Sequence, residues 1–581
     1  MIILGLNVFH ADTAACIVKD GVVACAAEEE RFIRVKHYSG FPFNSIRFCL
    51  SESNLKIQDV DFITVNFDTA YNFKKKLFYS LKNFHQQNIF KKILFSYKRN
   101  KISDLFYNHF GIDIKAKILN IPHHLSHIAS SFYNSKFQEA IGYSFDGSGD
   151  FSSAESYILK DNKFNLVDKT IYPHSLGIFY QAVTQYLGFK DYGDEYKVMG
   201  LASYGEPIYK NKFREIINIK NDGEFELVSK YFSHFNNQIN YQFETGSPYF
   251  DNLYSLNFIN LFGKERKQRN EIKKIHLDVA ASAQSIFEDI VIEKLKYLYD
   301  KYKIDNLCLS GGCAFNSVLN GKIIDQLDYK KIHTGPNVGD AGGAIGSSIY
   351  VYLINNKSNI SNINLNDKYL GTKYNNEYIE KYLVRKISKE DNIEAKFIEN
   401  FDEINKIVVD KITNSEVVIW FQDEMEWGPR ALGNRSFLAD PRNIDIKEII
   451  NLKIKKREKF RPFAPSILKE HSSRYFNKEI DSPYMNQVFK CNDVAKKEIK
   501  GVVHIDNTCR VHTVESSSNL KFYNLIHKFY EETGVPSLLN TSLNVDEPIC
   551  ESPEDAMEIF KNTLVEIMIV QNWVFAKNKK K

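Results

Sequence analysis

The sequence places His123-His124-Leu125-Ser126-His127 ahead of an apolar run that ends in Asp146-Gly147-Ser148-Gly149-Asp150, and the fold is organised around this segment. If its first part is helical, His123 and His127 lie four residues apart on one face, close enough to hold one metal ion. Residues 140–145 are short, apolar and aromatic, so they read as a buried strand that delivers Asp146 at its carboxyl end. A tight turn is expected next, because Gly147 and Gly149 put no side chain between a ligand and the backbone amides. Paired histidines on a helix are often only surface or capping residues. Here, however, a second acid of the same local kind stands far off in the sequence: Asp340, within Gly335-Pro336-Asn337-Val338-Gly339-Asp340-Ala341-Gly342-Gly343. Two imidazoles with two carboxylates suit iron, zinc or manganese better than magnesium, and the carboxylates leave positions open for substrate oxygens.

Toward the amino terminus, residues 2–6, 14–18 and 22–26 are short apolar segments separated by turns, which predicts consecutive hairpins; Asp20-Gly21 is a strong hairpin turn. Between the first two lies the polar tip Asn7-Val8-Phe9-His10-Ala11-Asp12-Thr13, where a ligand can bind and where His10 reads equally as a general base or as a turn histidine. The charge cluster Glu28-Glu29-Glu30-Arg31-Phe32 follows a buried strand directly, so part of it is expected to face a cleft. Residues 71–110 are rich in lysine with Phe and Tyr at helix-like spacing. They read as an amphipathic insertion whose aromatics pack on the core, in preference to nucleic-acid or membrane contact.

Toward the carboxyl terminus, Asp194 to Ala202 combines acids, Lys197 and small residues at a helix start. Residues 221–264 have no clear period and read as an elaborated substrate-side loop region, whereas 275–303 carries helical apolar spacing. A strand at 307–309 runs into Ser310-Gly311-Gly312-Cys313-Ala314-Phe315-Asn316, a strand, glycine turn and helix start that can cradle a phosphate. Residues 355–368, rich in Asn, Ser and Lys, mark the expected domain boundary, giving domains at 1–360 and 369–581. Beyond it, cations sit on apolar or proline-fixed backbone: Arg430 and Arg435 in Glu426-Trp427-Gly428-Pro429-Arg430-Ala431-Leu432-Gly433-Asn434-Arg435-Ser436, then Lys455, Arg457, Arg461 in Phe460-Arg461-Pro462-Phe463, and Arg510. With Asn540 and Ser542 downstream, they suit a small doubly charged anion.

Bulk properties narrow the classes. At 581 residues with 43% apolar and 14% aromatic residues, two or three well-packed domains are expected. A net charge of +4 is no global footprint for nucleic acid. None of the eight cysteines forms a C-x-x-C pair, which argues against zinc ribbons and thioredoxin chemistry. With no signal-peptide pattern and no apolar run of about 20 residues, a cytoplasmic protein without membrane contact is expected.

Together these motifs, with Glu195-Tyr196-Lys197-Val198-Met199-Gly200-Leu201-Ala202 and Phe460-Arg461-Pro462-Phe463-Ala464-Pro465, resemble the O-carbamoyltransferases of the nodulation and antibiotic-tailoring type over nearly the full length. The resemblance implies an α/β fold in which an actin-like amino-terminal domain pair, akin to threonylcarbamoyltransferases, is fused to a YrdC-like α/β domain. It implies a two-step reaction: carbamoyl phosphate and ATP, with magnesium, give carbamoyl adenylate, pyrophosphate and phosphate, and the carbamoyl group then passes to a hydroxyl of a small molecule or sugar. Carried over by position, it implies His123, His127, Asp146 and Asp340 as ligands of Fe(II), with zinc or manganese as alternatives. His10, with Asp12, is implied for deprotonating the acceptor, and Gly147, Gly149, Lys197, Gly311, Gly312 and Asn316 for the nucleotide. Arg430, Lys455, Arg461, Arg510, Asn540 and Ser542 are implied for carbamoyl phosphate. A tRNA-directed threonylcarbamoyl transferase would want a basic face that the charge does not provide. A hydrogenase-maturation enzyme would need zinc-finger cysteines, an actin-like sugar kinase or ATPase leaves the cationic half unexplained, and a non-catalytic ATP-binding module leaves the ligands unexplained.

Overall fold

Three apolar segments joined by tight turns satisfy their backbones most simply by pairing with one another, and they do. β1 (Ile2–Asn7), β2 (Ala14–Lys19) and β3 (Val22–Glu28) form an antiparallel meander. Asp20 and Gly21 both take positive φ, 51° and 85°, as the mirror-image hairpin turn requires. β4 (Phe62–Val65) pairs parallel to β1, and β5 (Lys117–Asn120) parallel to β4, giving the order β3-β2-β1-β4-β5. The pattern then repeats. β6 (Glu139–Gly149), β7 (Ser152–Lys160) and β8 (Lys163–Ile171) make a second meander, which β9 (Asn306–Ser310) and β10 (Lys331–Thr334) extend in parallel, in the order β8-β7-β6-β9-β10. Two sheets of identical topology in tandem make this unit an actin-like α/β fold, as the sequence implied.

This is a computed structural model that describes residues 1–82, 101–236, 240–242, 245–356, 368–388 and 391–578. The chain divides into two compact units, Met1–Asp367 and Lys368–Lys581. Most of the expected boundary segment, 357–367, lies outside the described residues, as do 83–100 of the aromatic insertion and 237–239 and 243–244 of the substrate-side region.

The helices that matter for the site are α1 (Phe73–Lys82), α2 (His123–Ser135), α3 (Glu195–Ala202), α4 (Lys274–Tyr302), α5 (Ser317–Gln326) and α6 (Gly342–Asn356). α2 leads from the first sheet to the second and packs along α6, so its buried residues run almost all round it. Two details depart from expectation. The turn after Asp146 does not fall at Gly147 and Gly149: pairing with β7 breaks as a bulge there, and the chain reverses at Asp150 and Phe151, with φ of 49° and 71°. Within the insertion, Ile102 and Phe106 are buried as expected, but the apolar residues of α1 are not.

The second unit is built on one mixed nine-stranded sheet. Its strands are β11 (Ile393–Phe397), β12 (Val418–Phe421), β13 (Arg435–Ala439), β14 (Ala464–Leu468), β15 (Gln487–Lys490), β16 (Thr508–Val514), β17 (Ser537–Ser542), β18 (Ile567–Val570) and β19 (Trp573–Lys577). They run in the order β11-β19-β18-β12-β13-β17-β14-β16-β15. Ala464 lies opposite Asn540, and Ser466 opposite His512. Because side chains alternate along each strand, Ser466, Arg510, His512, Asn540 and Ser542 share one face of the sheet centre.

Candidate active site

α2 is placed by an acid from the neighbouring turn: Asp150 Oδ2 accepts from the backbone N–H of His123 at 2.9 Å, at the start of the helix where such donors have no intrahelical partner. One turn along, His127 brings its Nε2 to 3.1 Å from His123 Nε2. From β6, Asp146 Oδ2 lies 2.9 Å from His123 Nε2 and 3.5 Å from His127 Nε2. From the loop before α6, Asp340 Oδ1 lies 3.4 Å from His127 Nε2 and 3.7 Å from His123 Nε2. The four ligand atoms all fall within 4.8 Å of one another. Gly149 permits this approach, since a β-carbon there would collide with the His123 ring.

The electrostatics call for a cation. Burial opposes ionisation of Asp146, but the imidazoles of His124 and His123 outweigh it and hold its carboxyl well below the usual range. Burial likewise opposes the His123 imidazolium, and Asp146 and Asp340 reverse that, lifting its pKa to about 9. Asp146 Oδ1 is buried without a hydrogen-bond partner. Two ring nitrogens and two carboxylates facing one point, with a buried acceptor left over, fit a transition-metal ion. His124 had no role assigned from sequence. It is buried, bonded to Ser144 Oγ at 2.8 Å and to the Ser152 carbonyl at 3.2 Å, and it packs behind Asp146, with burial lowering its pKa.

The amino-terminal tip closes over this cluster. Fully buried Asn7 donates to the carbonyls of Ala11 and Asp12, and Asn66 donates to Asn7 Oδ1 and to the Asp340 carbonyl, so the tip and the Asp340 loop are fixed to one another. His10 stacks on His123 with ring centroids 4.9 Å apart and lies 3.7 Å from Asp340 Oδ2. The acid beside His10 is thus Asp340. Asp12, expected as its partner, turns away and binds His37 Nδ1 at 2.8 Å.

Asp12, Glu30 and His37 form a second compact group, but Arg31 pairs with both Glu28 and Glu30 and supplies the positive charge within the cluster itself. Burial works against the His37 imidazolium, yet Asp12 outweighs it and raises its pKa from 6.5 to about 9. The folded state therefore keeps a proton that the unfolded chain has lost. The pair's contribution is full below pH 6.5 and disappears as pH rises through about 9. Asp12→Asn is expected to flatten the fall in Tm between those limits, measured by calorimetry across a pH series. A slope equal to that of the wild type would show that the pair does not carry it.

Of the residues expected at the nucleotide, Gly311 has φ of 87°, and a β-carbon there would meet the Phe145 carbonyl, so glycine is required where β9 passes β6. Gly147 and Gly312 both face open space. Asn316 is committed locally: it caps α5 by accepting from Leu319 N–H at 3.0 Å and exchanges two amide hydrogen bonds with Gln284 of α4. Lys197 is held by Asp194 at 2.7 Å.

In the second unit, Glu426 organises the glycine-rich loop. Its Oε1 accepts from the N–H groups of Leu432, Asn434 and Arg435. Arg435 is fully buried and donates to the carbonyls of Thr372, Gln422 and Asp423, so it is a structural cation. Arg510 is different. Burial, followed by the like charges of Arg430 and Arg457, pushes its pKa well below the ordinary arginine range. Like charges that oppose one another in this way would be relieved by an anion. Arg457, grouped by the sequence with the cations that suit an anion but not carried over from the family resemblance, is tied through Asn451, which accepts from Arg457 Nε at 2.8 Å and donates to the Arg461 carbonyl at 2.9 Å. Lys455 donates to the Ser542 carbonyl at 2.6 Å and to Asn544 Oδ1 at 3.0 Å. Asn540 donates to Ser466 Oγ and the Ala431 carbonyl, while its own Oδ1 is buried without a partner.

A duplicated actin-like sheet with a histidine–carboxylate centre, carried on the same chain as an arginine-lined α/β unit, defines a group-transfer enzyme. The comparisons give its family. The carbamoyltransferase N-terminus model matches residues 2–349 and the carbamoyltransferase C-terminus model residues 409–577. An uncharacterized protein of Synechocystis sp. is 34% identical over 99% of this chain and 96% of its own length. Nodulation protein NolNO of Sinorhizobium fredii is 31% identical over 98% of this chain and 80% of its own. The 3'-hydroxymethylcephem-O-carbamoyltransferase of Amycolatopsis lactamdurans is 37% identical over 23% of this chain and 25% of its own. The chain belongs to the carbamoyltransferase family, and it is an enzyme of that class.

Proposed function

We propose that the chain is an ATP-dependent O-carbamoyltransferase that works in two steps. In the second unit, read as YrdC-like, water releases phosphate from carbamoyl phosphate, and a carbamate oxygen then attacks the α-phosphorus of ATP. Carbamoyl adenylate forms and pyrophosphate leaves. In the first unit the oxygen of an acceptor hydroxyl attacks the carbamoyl carbon, the bond to AMP breaks, and the hydroxyl proton passes to His10. Adenylation is needed because carbamate is a poor electrophile and AMP a competent leaving group.

One observation carries this reading: His123, His127, Asp146 and Asp340 converge within 4.8 Å beside His10. A transition metal held by those four residues, iron in this reading, would supply Lewis-acid polarisation of the carbamoyl oxygen. The chain's own groups do the rest. His10, against the Asp340 carboxylate, is poised to take a proton and to be stabilised once it has done so. Gly147 and Gly312 leave backbone exposed for nucleotide phosphates, with magnesium accompanying ATP. Arg510, Arg430 and Arg457 offer an anion site, joined in this reading by Arg461 and Lys455. The lone Oδ1 of Asn540 is an acceptor suited to a carbamoyl N–H.

The test is to incubate the purified chain with ATP and carbamoyl phosphate and assay both products. Pyrophosphate release that depends on both substrates is expected, with transfer of one carbamoyl group to a hydroxyl acceptor followed by mass spectrometry. ADP in place of pyrophosphate would make the chain a kinase and end this reading.

A further inference from the structure

An amphipathic helix on a globular surface ordinarily turns its apolar face inward. α1 does the opposite. Phe73, Leu77, Phe78 and Leu81, at helical spacing, are 62%, 49%, 71% and 64% exposed. Tyr79, on the other side of the helix, is the residue that faces the protein, with its ring 5.4 Å from that of Phe151 and 5.9 Å from that of Tyr172. The helix is also firmly founded. Asp150 Oδ2, which accepts from the first N–H of α2, accepts from Asp68 N–H as well, and Asn72 donates to the Asp150 carbonyl. The outward face is therefore held outward by its root.

The helix itself carries charge of one sign: its sequence, Phe73–Lys82, holds four lysines and no Asp or Glu. Lys74 and Lys75 are exposed beside Phe73 and Phe78. Phenylalanine and leucine projecting among lysines match a surface that is apolar a few ångströms down and negatively charged at the top. A nucleic acid would satisfy the lysines and leave the apolar side chains in water.

We propose that α1 is a membrane-docking helix that inserts Phe73, Leu77, Phe78 and Leu81 into an anionic lipid surface, with Lys74 and Lys75 at the headgroups. Among the described residues no helix is long and apolar enough to cross a membrane. Because the root of α1 is fastened to Asp150, docking holds the His123–His127 helix beside the lipid surface. The proposal does not depend on which hydroxyl acceptor is used.

The test is co-sedimentation of the full chain with phosphatidylcholine vesicles, with and without phosphatidylglycerol. The wild type is expected to pellet with the anionic vesicles, less so at high salt, and to remain in the supernatant with phosphatidylcholine alone. Phe78→Glu with Leu81→Glu is expected to weaken that partition at least about tenfold, through lost apolar burial and added like charge. The same double variant should keep the wild-type Tm and rate of carbamoyl transfer, since both positions are exposed. A wild type that stays in solution with both vesicles, or a double variant that pellets equally well, would overturn the proposal. So would a wild-type dimer in light scattering that the double variant abolishes without any lipid binding, because the face would then belong to a second copy of the chain.

Discussion

His127→Ala is expected to lower carbamoyl transfer by about a thousandfold, equivalent to ~4 kcal/mol of lost electrostatic stabilisation, while the adenylate-forming half-reaction persists. The magnitude follows from position. His127 Nε2 lies within 3.5 Å of His123 Nε2, Asp146 Oδ2 and Asp340 Oδ1, so its removal breaks the cluster at its centre. It is 2% exposed, and a truncation there also costs packing, so Asp340→Asn serves as the partner variant: it keeps the volume and removes the charge. Transfer to acceptor is read by mass spectrometry and adenylation by pyrophosphate release. A folded variant that loses both activities together would contradict the assignment of the two chemistries to separate units.

Arg510→Met is expected to weaken carbamoyl phosphate binding by about 2–3 kcal/mol, the value of charged hydrogen bonds to a phosphate, without lowering the stability of the ligand-free chain. Arg510 is half-buried and feels the like charges of Arg430 and Arg457, and a cation so placed is pushed toward neutrality by burial and by its neighbours. Replacing it with an apolar side chain of similar length relieves that repulsion, so Tm should hold or rise. Carbamoyl phosphate at a hundred times its wild-type Kd should stabilise the wild type by about 2.7 kcal/mol and Arg510→Met by less than about 1 kcal/mol at the same concentration. A fall in Tm for the ligand-free variant, with ligand stabilisation intact, would make Arg510 a structural cation like Arg435.

The parts of the molecule legible from sequence are those governed by local periodicity and turn chemistry. The three amino-terminal segments announce a meander because each is too short and too apolar to stand alone, and Asp20-Gly21 specifies the turn. The i, i+4 histidines on α2 and the acid at the end of β6 follow from the same reasoning. Partner choice among distant acids was less legible. Asp12 is two residues from His10 in sequence, but positive φ at Phe9 and Asp12 folds the tip so that Asp340 comes to His10 and Asp12 goes to His37. Arg457 is one of four cations in five residues, and sequence alone does not rank them. Its link through Asn451 to the Arg461 backbone, and its charge felt at Arg510, appear only in three dimensions. The exposed face of α1 is a third case, since an amphipathic pattern fixes which residues share a face but not which way that face points.

Anomalous diffraction at the iron edge, from crystals of protein loaded with Fe(II) under anaerobic conditions, locates the metal itself. A single peak is expected within bonding reach of His123 Nε2, His127 Nε2 and a carboxylate oxygen of both Asp146 and Asp340, and it should vanish in Asp340→Asn. A peak elsewhere, or loaded crystals with no peak among these four residues, would contradict the metal centre and the transfer step built on it.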